Sequence, residues 1–187
     1  ACLHVNLSAQ SLADASFRRD ILTVLEDAGT AACRALCFEI TETVALANLG
    51  ELAAFVDGVR ARGARVAVDD FGAGASHFGY LRSLKVDIIK VDGQFIKGML
   101  RDPLDDASVR GFLEVARVLG VQTVAEFVDD RVRARDERRG VGEIRNACRD
   151  VEQRQVQPLV SHHMKHRWQK RQQLQQALQQ QLLIREH

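Results

Sequence analysis

Zinc-ligand spacing is missing from the cysteines of this chain. The four of them (Cys2, Cys33, Cys37 and Cys148) form neither metal-finger pairs nor a dense disulfide pattern. That excludes a zinc ribbon and a disulfide-stapled secreted scaffold, and leaves reduced thiols in a cytoplasmic setting as the expectation. No apolar run approaches the ~20 residues of a membrane span. The N-terminus has no basic segment followed by an apolar one, so no secretory signal is expected. The glycines do not open a helix as G-K-S/T or G-x-G-x-x-G, so a nucleotide-cradling loop of that type is excluded. The first residue is Ala1 rather than Met, and the chain is expected to be a piece of something longer.

What is present is enough for one domain of ordinary size, or most of one. The 187 residues are 46% hydrophobic, a proportion that can bury a core. The net charge of +1 conceals an uneven distribution. Residues 1–130 carry 13 Lys+Arg against 19 Asp+Glu, a net −6, whereas residues 131–187 carry 13 against 6, a net +7. Two regions of different character are therefore expected, 1–130 and 131–187.

Five short apolar segments recur: L-H-V-N-L (3–7), L-C-F-E-I-T (36–41), R-V-A-V-D-D (65–70), V-D-I-I-K-V-D (86–92) and V-Q-T-V-A-E-F (121–127). Short runs of this kind read as buried strands. Segments of helical period lie between them. Ser16 is placed to cap a helix carrying Phe17, Ile21, Leu25 and Ala28, stopped by Gly29. Leu49, Leu52, Phe55, Val56 and Val59 mark a second helix, ended by Gly63. Val109, Phe112, Leu113, Ala116 and Leu119 mark a third, ended by Gly120. Strands alternating with helices predict a parallel sheet with helical crossovers, an α/β fold.

Each apolar run also carries a polar residue near its C-terminal end: Asn6, Glu39, Asp69 with Asp70, Lys90 and Glu126. In a β/α barrel those ends open onto the active-site face. Singly, such residues read equally well as helix caps or solvated loop starts. Recurring at successive strand ends, they point to a shared partner, because isolated buried carboxylates are costly. Several carboxylates and an amide are hard oxygen donors, suited to Mg²⁺, Mn²⁺ or Ca²⁺. For Lys90 the plain alternative is a structural ion pair with a neighbouring Asp. Gly72 and Gly74 are expected to turn the chain sharply out of the strand, with φ > 0 accessible to both.

V-N-L-S (5–8), F-E-I-T-E (38–42), V-D-D-F-G-A-G (68–74), D-I-I-K-V-D (87–92) and V-A-E-F-V (124–128) resemble, in order and spacing, the motifs of the EAL domain family. Those bacterial phosphodiesterases linearise cyclic di-GMP. The resemblance implies a modified (β/α) barrel of the TIM type binding two Mg²⁺ or Mn²⁺ ions, present here in part over residues 1–130. It implies metal ligation by Asn6, Glu39, Asp69, Asp70 and Glu126, with Asp69 suited to bridging both ions. Lys90 and Glu126 are the implied catalytic residues, and either is open as the group that handles the attacking water. Glu42 resembles the glutamate that braces the loop after D-D-F-G, a loop through which homodimerisation is also implied. Opening of one 3′–5′ phosphodiester bond to give linear pGpG is the implied reaction.

Three departures from the family pattern shape the expectations. The E-A-L segment, with its metal-ligating glutamate, belongs ahead of V-N-L-S, and the chain starts at Ala1. Asp129 stands where the family has Glu, one methylene longer. Beyond Asp130 the expected Q-G-Y/F segment is absent, and residues 131–187 instead hold 11 Gln and 4 of the 6 His. Such a switch is what a change of reading frame or a mispredicted gene end in GC-rich DNA is expected to leave. Leu174, Leu178, Leu182 and Ile184 suit a short amphipathic helix within this tail. The arginine-rich stretch 131–139 and the histidines His162, His163 and His166 read as solvated polar chain, rather than as a nucleic-acid or metal site. The expected function is thus cyclic di-GMP phosphodiesterase. The alternatives are a catalytically inactive domain acting as cyclic di-GMP receptor or interaction module, a non-functional fragment, and a metal enzyme on an unrelated β/α barrel. A longer parent is expected to add GGDEF or sensory domains.

Overall fold

The alternation of strands and helices holds through Ala125 in the computed structural model, which describes residues 2–74, 78–126 and 128. In chain order the elements are β1 (Leu3–Asn6), α1 (Ala9–Ala13), α2 (Ala15–Cys33), β2 (Leu36–Thr41), α3 (Glu42–Ala47), α4 (Leu49–Ala61), β3 (Arg65–Phe71), a 3-10 turn (Gly79–Arg82), β4 (Ile88–Val91), α5 (Gly93–Gly98), α6 (Pro103–Leu119) and β5 (Gln122–Ala125). The described chain forms two units, residues 2–40 with 50–66, and residues 41–49 with 67 onward. The boundary falls inside β3, between Val66 and Ala67.

In the first unit β1 and β2 pair in parallel, with Leu3 opposite Leu36 and Asn6 opposite Glu39. Parallel strands need a crossover, and α1 and α2 supply it. Val5, Leu36, Phe38 and Ile40 are buried on the strands, and Ile21, Val24 and Leu25 on α2. Leu52, Phe55, Val56 and Val59 are buried along α4 at helical spacing, as the sequence period requires. Each such fully buried Leu, Val or Phe contributes roughly 1.5–3 kcal/mol. The start of α2 corrects one expectation. Asp14, not Ser16, is the cap: its carboxylate accepts from the Ser16 and Phe17 amides at 2.8 and 3.4 Å, while the Ser16 hydroxyl donates to it at 2.5 Å. A carboxylate accepts both amides at a helix start, where the peptide dipoles favour negative charge. Gly29 (φ 77) kinks α2 rather than stopping it, and helix resumes to Cys33.

In the second unit the strand order is β3-β4-β5, all parallel. Asp92 caps α5 through the Gln94 amide (2.7 Å). Asp102 caps α6 through the Leu104 amide (2.8 Å), and Pro103 occupies the first turn, where its missing N–H costs nothing. Val109, Phe112 and Ala116 form the buried stripe of α6, which ends at Gly120 as predicted. Cys2, Cys33 and Cys37 are free thiols. No helix among the described residues is long and apolar enough to cross a membrane. The expectations for Asp129, the arginine-rich stretch, His162, His163, His166 and the tail helix fall outside the described residues.

Candidate functional site

Asp69 and Asp70 are adjacent in a strand, so regular alternation sends their side chains to opposite faces. The ladder between β3 and β4 shows how the fold avoids this. Val68 pairs with Ile89 and Phe71 with Val91, so Asp69 and Asp70 together oppose the single residue Lys90. Two residues against one is a β-bulge, a device that re-aims side chains next to functional sites. Asp70 also takes the left-handed backbone conformation, at φ 53. Aspartate tolerates that region better than most residues, yet it is uncommon outside glycine.

The outcome is a cluster of carboxylates. Asp69, Asp70 and Glu126 each place an oxygen within 4.8 Å of the others. Glu126 follows directly on β5, and its amide donates to the Val91 carbonyl at 3.3 Å, which ties it to the end of β4. Lys90, on β4, lies against the cluster. Its Nζ lies 2.7 Å from Asp69 Oδ1 and 3.1 Å from Glu126 Oε1, and its side chain is 4% exposed. The ion pair anticipated as the plain reading of Lys90 is therefore present. Burial pushes the Glu126 carboxyl above its ordinary range, Asp69 and Asp70 push it further, and Lys90 opposes both. Close, hard carboxylate oxygens are the donors that a divalent cation fits.

Glu42, at the first turn of α3, is 1% exposed. Its Oε2 accepts from the Gly72 and Gly74 amides at 3.1 and 3.2 Å, and its Oε1 accepts from the Tyr80 hydroxyl at 3.1 Å. Burial, followed by the Glu42 charge and hydrogen bond, pushes the Tyr80 hydroxyl pKa up. Gly72 uses the positive φ expected of it (98°), whereas Gly74 does not. Asp70 takes positive φ instead, which its residue type does not signal.

The other two expected ligands lie in the first unit. Asn6 is exposed at the end of β1, in register with Glu39 of β2. Glu39 is 5% exposed, and its Oε1 lies 2.6 Å from His4 Nδ1. Hydrogen bonding to Cys2, Cys37 and Glu39 outweighs burial and raises His4 to about 11, so its imidazolium donates to Glu39. His4 escaped the motif reading. Its signals were the alternation that puts it on the Asn6 face of β1 and its position opposite Cys37.

A family model described as EAL domain matches residues 1–137. The chain belongs to the EAL domain family. A relative named cyclic di-GMP phosphodiesterase PdeB, from Shewanella oneidensis, is 38% identical over 130 residues, covering 70% of this chain and 15% of that protein. Cyclic di-GMP phosphodiesterase PdeF of Escherichia coli is 31% identical over 126 residues, covering 67% and 17%. This EAL chain thus spans less than a fifth of the length of either relative. Among solved structures, "PaMucR Phosphodiesterase, c-di-GMP complex" superposes with a TM-score of 0.65 at 29% identity, over 74% of this chain and 56% of that one. The EAL domain of Mycobacterium smegmatis DcpA does so with a TM-score of 0.63 at 29% identity, over 74% and 62%. The fold is therefore the TIM-like barrel of the EAL family in part, with five strands among the described residues.

Proposed function

We propose that this EAL chain hydrolyses cyclic di-GMP to linear pGpG with the help of Mg²⁺ or Mn²⁺. The carrying observation is the Asp69–Asp70–Glu126 cluster with Lys90 buried against two of its members. Support also comes from relatives that are named cyclic di-GMP phosphodiesterases. Asp69, Asp70 and Glu126 are the proposed cation ligands within the second unit. Asn6 and Glu39 are carried as ligands on the motif match alone. A bound divalent cation lowers the pKa of coordinated water and offsets charge on a phosphodiester.

The protein's own groups divide the remaining work. Lys90 places a fixed positive charge where the phosphorane-like transition state gains negative charge. Glu126 is the proposed acceptor of the proton lost by the attacking water, a role carried on the motif match. Water oxygen joins phosphorus, the P–O3′ bond breaks, and the leaving 3′ oxygen takes up a proton from solvent water, while Glu126 returns the proton it accepted to solvent. Glu42 braces the loop after Asp70 through the Gly72 and Gly74 amides. In a longer parent, GGDEF or sensory domains and pairing of two EAL chains through that loop complete the proposal.

A second reading, cyclic di-GMP binding without turnover, draws on one observation: Glu39 is already engaged by the His4 imidazolium. Incubating the purified chain with cyclic di-GMP and Mn²⁺, with chromatographic detection of pGpG, separates the two. Product that vanishes in Glu126→Ala supports the phosphodiesterase. Saturable binding with no product supports the receptor and overturns the enzyme.

A further inference from the structure

The segment that leaves β3 after Asp70 is held from two sides. On one side is the Glu42 carboxylate, which takes the Gly72 and Gly74 amides. On the other is α6. A Cβ placed on Gly72 would lie 2.6 Å from Phe112 Cζ and 2.9 Å from Phe95 Cε2, closer than any side chain is tolerated. The backbone at Gly72 therefore rests directly on the Phe112 ring, and only glycine allows it.

Phe112 is also the hub of four aromatic rings. It meets Phe71 edge-on (centroids 5.2 Å apart, 80°), Phe78 likewise (5.7 Å, 83°) and Phe95 likewise (5.3 Å, 88°). Edge-to-face contact is the favoured geometry for ring pairs and is sensitive to orientation. Phe71, the residue immediately after Asp70, is fully buried. Phe112 thus contacts the two residues that follow Asp70, at the position where the bulge and a φ of 53° turn its carboxylate toward Asp69 and Glu126. A backbone conformation that residues rarely adopt persists only when its surroundings over-determine it.

We propose that Phe112 is a positioning residue for the carboxylate cluster: its ring, packed on Phe71 and Gly72, keeps Asp70 in the left-handed turn that completes the Asp69–Asp70–Glu126 group. The inference rests on reading that group as a cation site. It assigns to the middle of α6, a helix that carries none of the expected ligands, control over how well the cation is held.

Mn²⁺ affinity is the measurement, read from the electron-paramagnetic-resonance signal of free Mn²⁺ titrated with the purified 187-residue chain. Four proteins are compared: wild type, Phe112→Ala, Phe112→Leu, and Phe55→Ala as a control on α4, where the ring is equally buried in the first unit. We expect Phe112→Ala to weaken Mn²⁺ binding about tenfold, the low end of what changes behind a metal ligand cost. Phe112→Leu, which keeps most of the apolar volume and decides the matter where the alanine variant does not fold, is expected to weaken it less, but measurably. Phe55→Ala is expected to lower the melting temperature and leave the affinity unchanged. Unaltered affinity in a folded Phe112 variant, or an equal loss in Phe55→Ala, overturns the positioning role while leaving the cation site intact. Absence of Mn²⁺ binding by the wild-type chain overturns the cation reading and this inference together.

Discussion

Lys90 is the residue on which the charge balance of the cluster turns. It is almost fully buried, and its ammonium touches two of the three carboxylates. Breaking a buried ion pair by removing one partner typically costs about 3–5 kcal/mol, because the remaining charge is left uncompensated. Lys90→Met is therefore predicted to destabilise the metal-free protein by an amount of that order in urea titrations, and to abolish turnover. Glu126 carries the corresponding pH prediction. Its folded-state pKa is raised above the ordinary 4.5, so the folded protein holds a proton that the unfolded chain releases. The linked stability is fully present below pH 4.5 and is lost as pH rises through the raised folded value. Melting temperatures of the metal-free wild type should fall over that window relative to Glu126→Gln, which carries no titrating carboxyl. A parallel pH profile for the two proteins would show that the cluster does not perturb Glu126. His4 sits outside this group and is legible only in part. A lone histidine on a strand announces neither a partner nor a charge, and its raised pKa follows from hydrogen bonds with Cys2 and, on the neighbouring strand, with Cys37 and Glu39.

At the scale of elements, the decisive features are the end of β3 and the loop after it. The D-D-F-G motif announces two carboxylates and a turn. It does not announce that the ladder slips by one residue, nor that Asp70 rather than Gly74 takes a positive φ. Both depend on what β4, α3 and α6 offer the segment, which are contacts distant in sequence. Glu42 is the most exposed of these dependencies to test. Glu42→Ala withdraws the acceptor from two backbone amides and the Tyr80 hydroxyl. Each buried donor left unsatisfied costs about 1–3 kcal/mol. The variant should lose stability by at least one such increment and speed amide hydrogen exchange at Gly72 and Gly74, whereas Glu42→Gln, which retains an oxygen acceptor, should lose less. Helix boundaries were legible where a cap or glycine is unambiguous, as at Gly120. They were less so at α2, where Asp14 and Ser16 are both credible caps and only the geometry shows the hydroxyl donating to the carboxylate.

Over the whole molecule, the β/α alternation was readable because buried parallel strands and one-sided helices leave different periods in the sequence. The family followed from five motifs in register, and the match across residues 1–137 agrees with it. What composition and spacing do not convey is how the carboxylates share charge, since that depends on side-chain directions at strand ends. A ligand that binds only the folded state stabilises it, by about 2.7 kcal/mol at one hundred times its dissociation constant. Mn²⁺ at such an excess is therefore predicted to raise the unfolding free energy of the wild-type chain by about that amount, and to leave Asp70→Ala near its metal-free value. Cation-dependent hydrolysis is read from the rate of pGpG formation from cyclic di-GMP by the purified chain, measured after chelation and again after Mn²⁺ is restored. No product is expected from the chelated protein, product is expected once Mn²⁺ is restored, and none at any Mn²⁺ concentration from Glu126→Ala. Restored Mn²⁺ without product from the wild-type chain, or product that persists in Glu126→Ala, would contradict the proposed function.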